Sequence, residues 1–520
     1  MNSGNTPPSS DSTPMSLTTK MVRGAGWIFS AKMAGRILTA LKLVILARLL
    51  SPGDFGLFGI VVLAMAGFEA LTRTGFDEAL VQRREDIRDD LNTAWTVQVI
   101  RGLLLAVFLI ASAPFIAWFF DEPRALPLLR ILGGVKFIGS FSNIGMIFWQ
   151  KELHFNKRAL HGTLVAFISA MAGIIAGLIL RNVWALVWSN IAGTLSGLLL
   201  SYVMHPYRPR FSWDRERART LLKYGVWVTG TSMLVYFSAY LDNLMVGKLL
   251  GTEALGFYVM AYQLSLLPLK ETAYAVSGVF MPGYAKLQGD PKRLSRAYER
   301  TLGITAAVSF PVCLGIILIA PPAVRLVLGD EWTPSIPLIQ ILMVAQLIKS
   351  LSATGSPLFL GTGRPHYEFR TQIARAVVLG VSLAPAILFL GINGAALSVV
   401  LSAIAMVLVY MAGLRGIVGR ISDLLRNSLL PPLAGSMVMM ALLTYPAVFL
   451  ARQEISGGEL AIALTALILS GGLLYGLACW WFARQLGNSL IQEVLLRILK
   501  SIKPAKQDIQ KTGPGRREHE

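Results

Sequence analysis

An all-α integral membrane protein with about fourteen transmembrane helices is what this sequence predicts, on three observations. Of the 520 residues, 54% are hydrophobic and only 15% charged, against about 25% charged in soluble globular chains. Apolar runs near the ~20 residues needed to cross a bilayer recur along the whole chain. The cations between those runs alternate from one side to the other.

The elements follow in order. Residues 1–20, "MNSGNTPPSSDSTPMSLTTK", are polar and rich in Ser, Thr and Pro. They lack an apolar core with a small-residue cleavage site, so they read as a disordered cytoplasmic N-terminus rather than a cleaved signal peptide. Six spans at 23–49, 56–80, 93–118, 127–150, 159–180 and 184–204 make a first lobe, 21–204. A basic stretch at 205–220 is a cytoplasmic linker. Six further spans at 221–249, 254–281, 301–320, 334–360, 371–391 and 394–414 make a second lobe, 221–414. Two more, 429–450 and 459–483, form an appendage. The tail 484–520 carries an amphipathic helix: Ile491, Val494, Leu495, Ile498, Leu499 and Ile502 recur at helical spacing beside Arg497, Lys500 and Lys503. That pattern suits either an anionic inner leaflet or a cap on the bundle.

The loop cations fix orientation. Loops after even-numbered spans hold twenty-three Lys and Arg, among them Arg83, Lys157, Arg217, Arg296, Arg375 and Arg420. Loops after odd-numbered spans hold four, Arg124, Arg181, Arg325 and Arg452. Cationic loops stay cytoplasmic, which puts both termini inside. The same split accounts for much of the +19 net charge, so no nucleic acid need be a partner. Cys313 and Cys479 sit in apolar runs and read as core residues, with no disulfide framework.

The chain repeats itself. "ARLLSPGDFGLF" (Ala47 to Phe58) matches "GKLLGTEALGFY" (Gly247 to Tyr258) without a gap at an offset of 200, and the register extends back to Trp27 and Trp227. Six spans separate the copies, an even number, so the two halves share one orientation, as in transporters built from parallel repeats. Ser51-Pro52-Gly53-Asp54 is turn chemistry, with Pro presetting φ and Gly accepting positive φ. Gly56 and Gly256 let neighbouring helices approach.

No Gly-x-x-x-x-Gly-Lys-Ser/Thr loop, no metal spacing and no large soluble loop is present, which argues against an ATPase, a metalloenzyme or any other enzyme. No cofactor is expected.

The duplicated stretches, read with "LARLLSPGDFGLFGIVVLAMAGFEALTRTGFDEALVQR", "YLDNLMVGKLLGTEALGFYVMAYQLSLLPL" and "LGTGRPHYEFR", resemble the polysaccharide transporter branch of the multidrug/oligosaccharidyl-lipid/polysaccharide exporter superfamily. That branch includes O-antigen and exopolysaccharide flippases. The resemblance implies two six-helix lobes in a V around a central cavity. It implies alternating access that carries a polyprenyl-diphosphate-linked oligosaccharide from the inner to the outer leaflet of the bacterial inner membrane, with membrane lipids and polysaccharide polymerase and export machinery as partners. Proton or sodium coupling is known in the superfamily. The alternatives are a cation-coupled multidrug exporter of the same superfamily and an integral-membrane glycan polymerase or ligase.

Charges inside spans are expensive and face protein or water. Arg36, Lys136, Lys270 and Lys349 are read as cavity cations for a multiply anionic diphosphate, which needs such partners in low dielectric. Glu69, Arg73 and Asp77 recur four apart, either as an internal salt-bridge ladder or as coupling or substrate contacts, and Arg36 could pair with them. Asp242 is the candidate ion-coupling carboxylate, with Lys248 or Lys42 as the competing structural partner.

Overall fold

The structure is a computed structural model. It describes the backbone of residues 17–72, 88–152, 155–415, 417, 421–453 and 457–486, and the side chains within these ranges except 17–32, 88–90, 150, 155, 215–228, 231, 267–279, 282, 421 and 423. The helices are α1 (Leu17–Leu49), α2 (Pro52–Thr72), α3 (Arg88–Phe119), α4 (Ala125–Gly139), α5 (Ile147–Lys151), α6 (Phe155–Leu180), α7 (Trp184–Met204), α8 (Arg215–Lys286), α9 (Pro291–Val327), α10 (Ser335–Ala353), α11 (Gly355–Gly361), α12 (Pro365–Leu414), α13 (Ile421–Leu424), α14 (Leu430–Arg452) and α15 (Gly457–Gln485). Among the described residues no strand forms, and ten helices are long and apolar enough to cross a membrane. This is a multi-pass membrane protein. α1 starts inside the polar stretch 1–20, and α8 starts at Arg215, inside the stretch read as a linker. The tail helix expected at 491–503 lies outside the described residues.

Two helices are too long to be single spans. At 1.5 Å per residue the 72 residues of α8 would reach about 108 Å, more than three times the ~30 Å hydrocarbon core. Each long helix is broken at a glycine in the left-handed region, α8 at Gly251 (φ 86°) and α12 at Gly391 (φ 59°). Those breaks fall where the sequence separates spans 7 from 8 and 11 from 12.

The chain divides into two compact units, residues 1–240 with Gly251–Gly256, and Leu241–Leu250 with 257–520. In the first, α1 packs on α6, α6 on α7, α3 on α4, α4 on α7, and α2 on both α3 and α4. Leu46, Leu57, Ile60, Leu109, Leu129 and Leu132 are buried between them. The α3–α4 connection turns through Asp121 (φ 55°). There Glu122, buried, accepts hydrogen bonds from Arg124 Nε (2.8 Å), Arg124 Nη2 (2.9 Å) and Thr252 Oγ1 (3.0 Å). The Arg124 hydrogen bond holds the Glu122 carboxyl below its ordinary range. Residues 205–214 form no regular element and lie against this unit, pinned where Asn143 Nδ2 donates to Tyr207 O (2.7 Å) and Tyr207 Oη donates to Asn92 Oδ1 (2.8 Å).

The turn expected at Ser51–Asp54 is instead a capped helix start. Pro52 opens α2, Ser51 Oγ accepts from Asp54 N (3.2 Å), and Asp54 Oδ2 accepts from Ser51 N (3.2 Å). This reciprocal cap satisfies first-turn amides, so Gly53 needs no positive φ and has none. Asp54 Oδ1 also accepts from Val183 N at the start of α7 (3.1 Å). The two repeats meet each other through their shared glycine. A methyl on Gly56 would overlap the Thr252 carbonyl and lie 2.9 Å from Gly256 N. One on Gly256 would overlap the Pro52 carbonyl and lie 3.1 Å from Gly56 N. Both positions therefore require glycine because backbone touches backbone.

In the second unit α9 packs against α10, α14 and α15, α10 against α12, and α14 against α15. Tyr298, Tyr410, Phe359 and Leu302 form a buried cluster in which the two tyrosine hydroxyls are 2.6 Å apart. Gly355 leaves the space that the Tyr410 ring fills. Cys313 and Cys479 are free and buried.

Candidate functional site: charged groups at membrane depth

Among the described residues, charged groups inside the spans stand in both units. In the first unit Glu69 on α2 and Lys136 on α4 form an ion pair, Nζ to Oε1 2.6 Å. Lys136 stands eleven residues into α4, about 16 Å along it. The pair is not sealed in the core: the side chains are 42% and 32% exposed. One turn further along α2, Thr72 Oγ1 accepts a long hydrogen bond (3.5 Å) from Arg101 Nε on α3. Lys42 on α1 donates to Ser189 Oγ on α7 (3.1 Å), and Ser189 in turn donates to Ser169 O (2.8 Å). Arg36 is half-buried on α1.

In the second unit Asp242 is buried nine residues before the break at Gly251, about 14 Å along the helix. Its Oδ2 accepts from Tyr258 Oη (2.9 Å), and its Oδ1 from Asn243 N (2.8 Å) and Asn243 Nδ2 (3.0 Å). Lys349 on α10 and Arg375 on α12 lie within electrostatic range of that carboxylate. The Lys349 ammonium faces the Tyr262 ring, 5.9 Å from its centroid, a cation–π geometry.

Several sequence readings change on this geometry. Glu69 reaches across to Lys136 on α4; Arg73 and Asp77, the other members of the expected ladder, lie outside the described residues, as does the side chain of Lys270. Lys136, with no acid near it in sequence, has one in space. Asp242 is held by Tyr258 and Asn243, not by Lys248. Arg375, counted with a loop, lies ten residues inside α12.

Two further residues belong with these charges. Arg101 interrupts the apolar run of α3, and that interruption is the signal the sequence carries for it. Tyr258 closes the second repeat, and its hydroxyl is what distinguishes it from Phe58. Among the described residues no group of three or more His, Cys, Asp or Glu could hold a metal ion. Chemically, the half-exposed pair at Lys136 offers an ammonium whose internal anion can be exchanged for an external one, since charge-assisted hydrogen bonds to phosphate match those to carboxylate.

Residues 45–337, more than half of the chain, match the family model described as "Polysaccharide biosynthesis protein". The chain belongs to this polysaccharide biosynthesis protein family. It is 26% identical over 385 residues to the lipopolysaccharide biosynthesis protein WzxC of Escherichia coli K12, covering 72% of this chain and 77% of the relative. It is 24% identical to the teichuronic acid biosynthesis protein TuaB of Bacillus subtilis 168, with the same coverage of each. It is 22% identical to the succinoglycan biosynthesis transport protein ExoT of Rhizobium meliloti 1021, covering 70% and 74%. Among solved structures the polysaccharide biosynthesis family fold seen here is similar to that of the lipid II flippase MurJ in an inward closed conformation, with a TM-score of 0.69, 16% identity, and 88% of this chain and 99% of that one covered. A multidrug resistance MATE family transporter of the MOP superfamily, inward-facing, is similar at a TM-score of 0.57 and 18% identity, covering 76% and 96%.

Proposed function

We propose that this protein is a flippase for a polyprenyl-diphosphate-linked oligosaccharide in O-antigen or exopolysaccharide biosynthesis, working by alternating access and not as an enzyme. The observation that carries the reading is family membership, with relatives named for lipopolysaccharide biosynthesis and for transport in succinoglycan biosynthesis. The intramembrane cations support it. A lipid diphosphate can leave its tail in hydrocarbon while the headgroup enters a wet basic site, where Arg36, Lys136, Lys270 and Lys349 would bind it; Arg101 and Arg375 join that set on their positions. Glu69, Arg73, Asp77 and Asp242 are the acids that would balance these cations or couple transport to protons or sodium.

The finer arrangement belongs to the same proposal: fourteen spans as two six-helix lobes and two C-terminal helices, in the bacterial inner membrane, with both termini cytoplasmic. Polymerase and export machinery would take the flipped product. The rival reading is a cation-coupled drug exporter of the same superfamily, which the buried carboxylate of Asp242 would suit. Deleting the gene and following lipid-linked repeat units separates the two. Accumulation of these lipids at the cytoplasmic leaflet is expected, and unchanged translocation with lost drug resistance would reverse the assignment.

A further inference from the structure

We infer that water is bound in a seam between α9 and α10, held by Thr305, Ser309 and Gln346, and that it reaches within one turn of Lys349 at membrane depth. Such a site would exist whether or not the protein moves a lipid diphosphate.

Each helix of this pair carries a stripe of polar residues. On α9, Tyr298, Thr305 and Ser309 follow at intervals of seven and four, and along α10 to its end Gln346, Ser350 and Thr354 follow at intervals of four. Such spacing keeps each set on one helix face. All six residues are at most 4% exposed. The stripes meet at one end, where Tyr298 Oη and Thr354 Oγ1 are 3.4 Å apart. A second contact, Gln340 Nε2 donating to Ile317 O (3.0 Å), sets the register of the pair. From that contact Gln346 lies six residues on and Ser309 eight residues back, about 9 and 12 Å along antiparallel helices. The two are therefore nearly level, and Ser309 is the midpoint of the 37-residue α9.

Hydrogen bonding differs along the stripes. Ser350 and Thr354 donate to carbonyls of their own helix, Leu347 O (2.7 Å) and Leu351 O (2.9 Å). Thr305 Oγ1, Ser309 Oγ and both amide atoms of Gln346 have no hydrogen-bond partner among the described residues. Burying donors and acceptors unpaired is costly, and in protein interiors such groups hold ordered water. A cation fits this donor set poorly, because Gln346 Nε2 needs an acceptor and none of the three side chains carries a negative charge. Water accepts from Nε2, donates to Oε1 and meets a hydroxyl in either role. Lys349 follows Gln346 by three residues on α10, so the seam brings water one turn from an ammonium that must face protein or water at this depth.

The test uses the full chain in lipid nanodiscs. X-ray radiolysis makes hydroxyl radicals from bound water, and mass spectrometry reads the oxidation of the side chains beside it. Met343, one turn before Gln346, and Met439 on α14 are both buried, at 0% and 4% exposed. Met343 should be oxidised well above Met439 in the wild type and fall to the Met439 level in Gln346→Leu. Gln346→Leu and Ser309→Ala should each lower the apparent melting temperature by about 2 °C, because each takes a partner from water that the other still holds. The triple variant Thr305→Val, Ser309→Ala, Gln346→Leu should return to within about 1 °C of the wild type, its seam dry and apolar. Equal oxidation of Met343 and Met439 in the wild type would overturn the inference, and that comparison decides even if Gln346→Leu yields no protein. Single variants that raise the melting temperature additively would show a dry seam and overturn it as well. So would a melting temperature that rises when sodium replaces choline in the buffer and stops rising in Gln346→Leu, which would put a cation in the seam.

Discussion

Positions 42 and 242 stand 200 residues apart in the duplicated hairpin, and they carry opposite charges. In the first unit Lys42 leans on the Ser189 hydroxyl of another helix, 3.1 Å away. In the second, Asp242 takes a hydrogen bond from Tyr258 in its own repeat, 2.9 Å away. The counterpart of Tyr258 is Phe58, which has no hydroxyl, so the first copy cannot make the same bond. The glycines tell the opposite story: Gly56 and Gly256 make reciprocal backbone contacts that tolerate no Cβ. A duplicated segment therefore keeps its identity where backbone meets backbone and diverges where a side chain faces the interior of its own unit.

The comparison breaks most visibly at the glycines. Gly56→Leu and Gly256→Leu should each cost about 3 kcal/mol or more, since the overlapping atoms are carbonyls that cannot rotate away. Loss of monodisperse protein on size-exclusion chromatography and of transport should be equal for the two; tolerance of either would mean that the contact is one-sided.

Asp242→Ala comes next. It strands the Tyr258 hydroxyl in the core and removes the negative charge that Lys349 and Arg375 share, at about 3 kcal/mol. Thermal unfolding should show it, and Tyr258→Phe, which copies Phe58 into the second repeat, should lose only about 1 kcal/mol. A Tyr258→Phe loss as large as that of Asp242→Ala would make the hydroxyl, not the charge, the determinant. Lys42→Met should be smaller still, within about 1 kcal/mol of the wild type, because a partly buried charge replaced by an apolar chain of similar length is often neutral and Ser189 keeps its bond to Ser169.

The smallest effect is at Glu122, in the connection between α3 and α4. Hydrogen bonding from Arg124 holds its carboxyl below the ordinary value of 4.5. A depressed carboxyl contributes stability above that ordinary value and loses it as pH falls through the folded value. The wild type should thus lose a small increment of melting temperature below about pH 4.5. Glu122→Gln should melt slightly lower at pH 7 and lack that increment. Identical acid profiles in the two proteins would remove the assigned role.

Much of this fold could be read directly. Runs of apolar residues mark spans because a bilayer offers no water to satisfy backbone amides, and the span boundaries at 249–254 and 391–394 hold the breaks that the structure makes at Gly251 and Gly391. The candidate site was legible only as a set of residues. Lys136, Lys349, Asp242 and Glu69 stand out as charges in apolar runs, but their partners do not. Glu69 and Lys136 are 67 positions apart, Asp242 and Tyr258 sixteen, and helical spacing connects neither pair.

The sequence by itself therefore determined that the chain is helical, duplicated and membrane-spanning, because hydrophobic length and charge alternation are local quantities fixed by the bilayer as solvent. Only the tertiary structure decided which charges meet. A salt bridge such as Lys136 with Glu69 depends on how α2 and α4 are rotated against each other, and that rotation is set by packing summed over every helix in the unit.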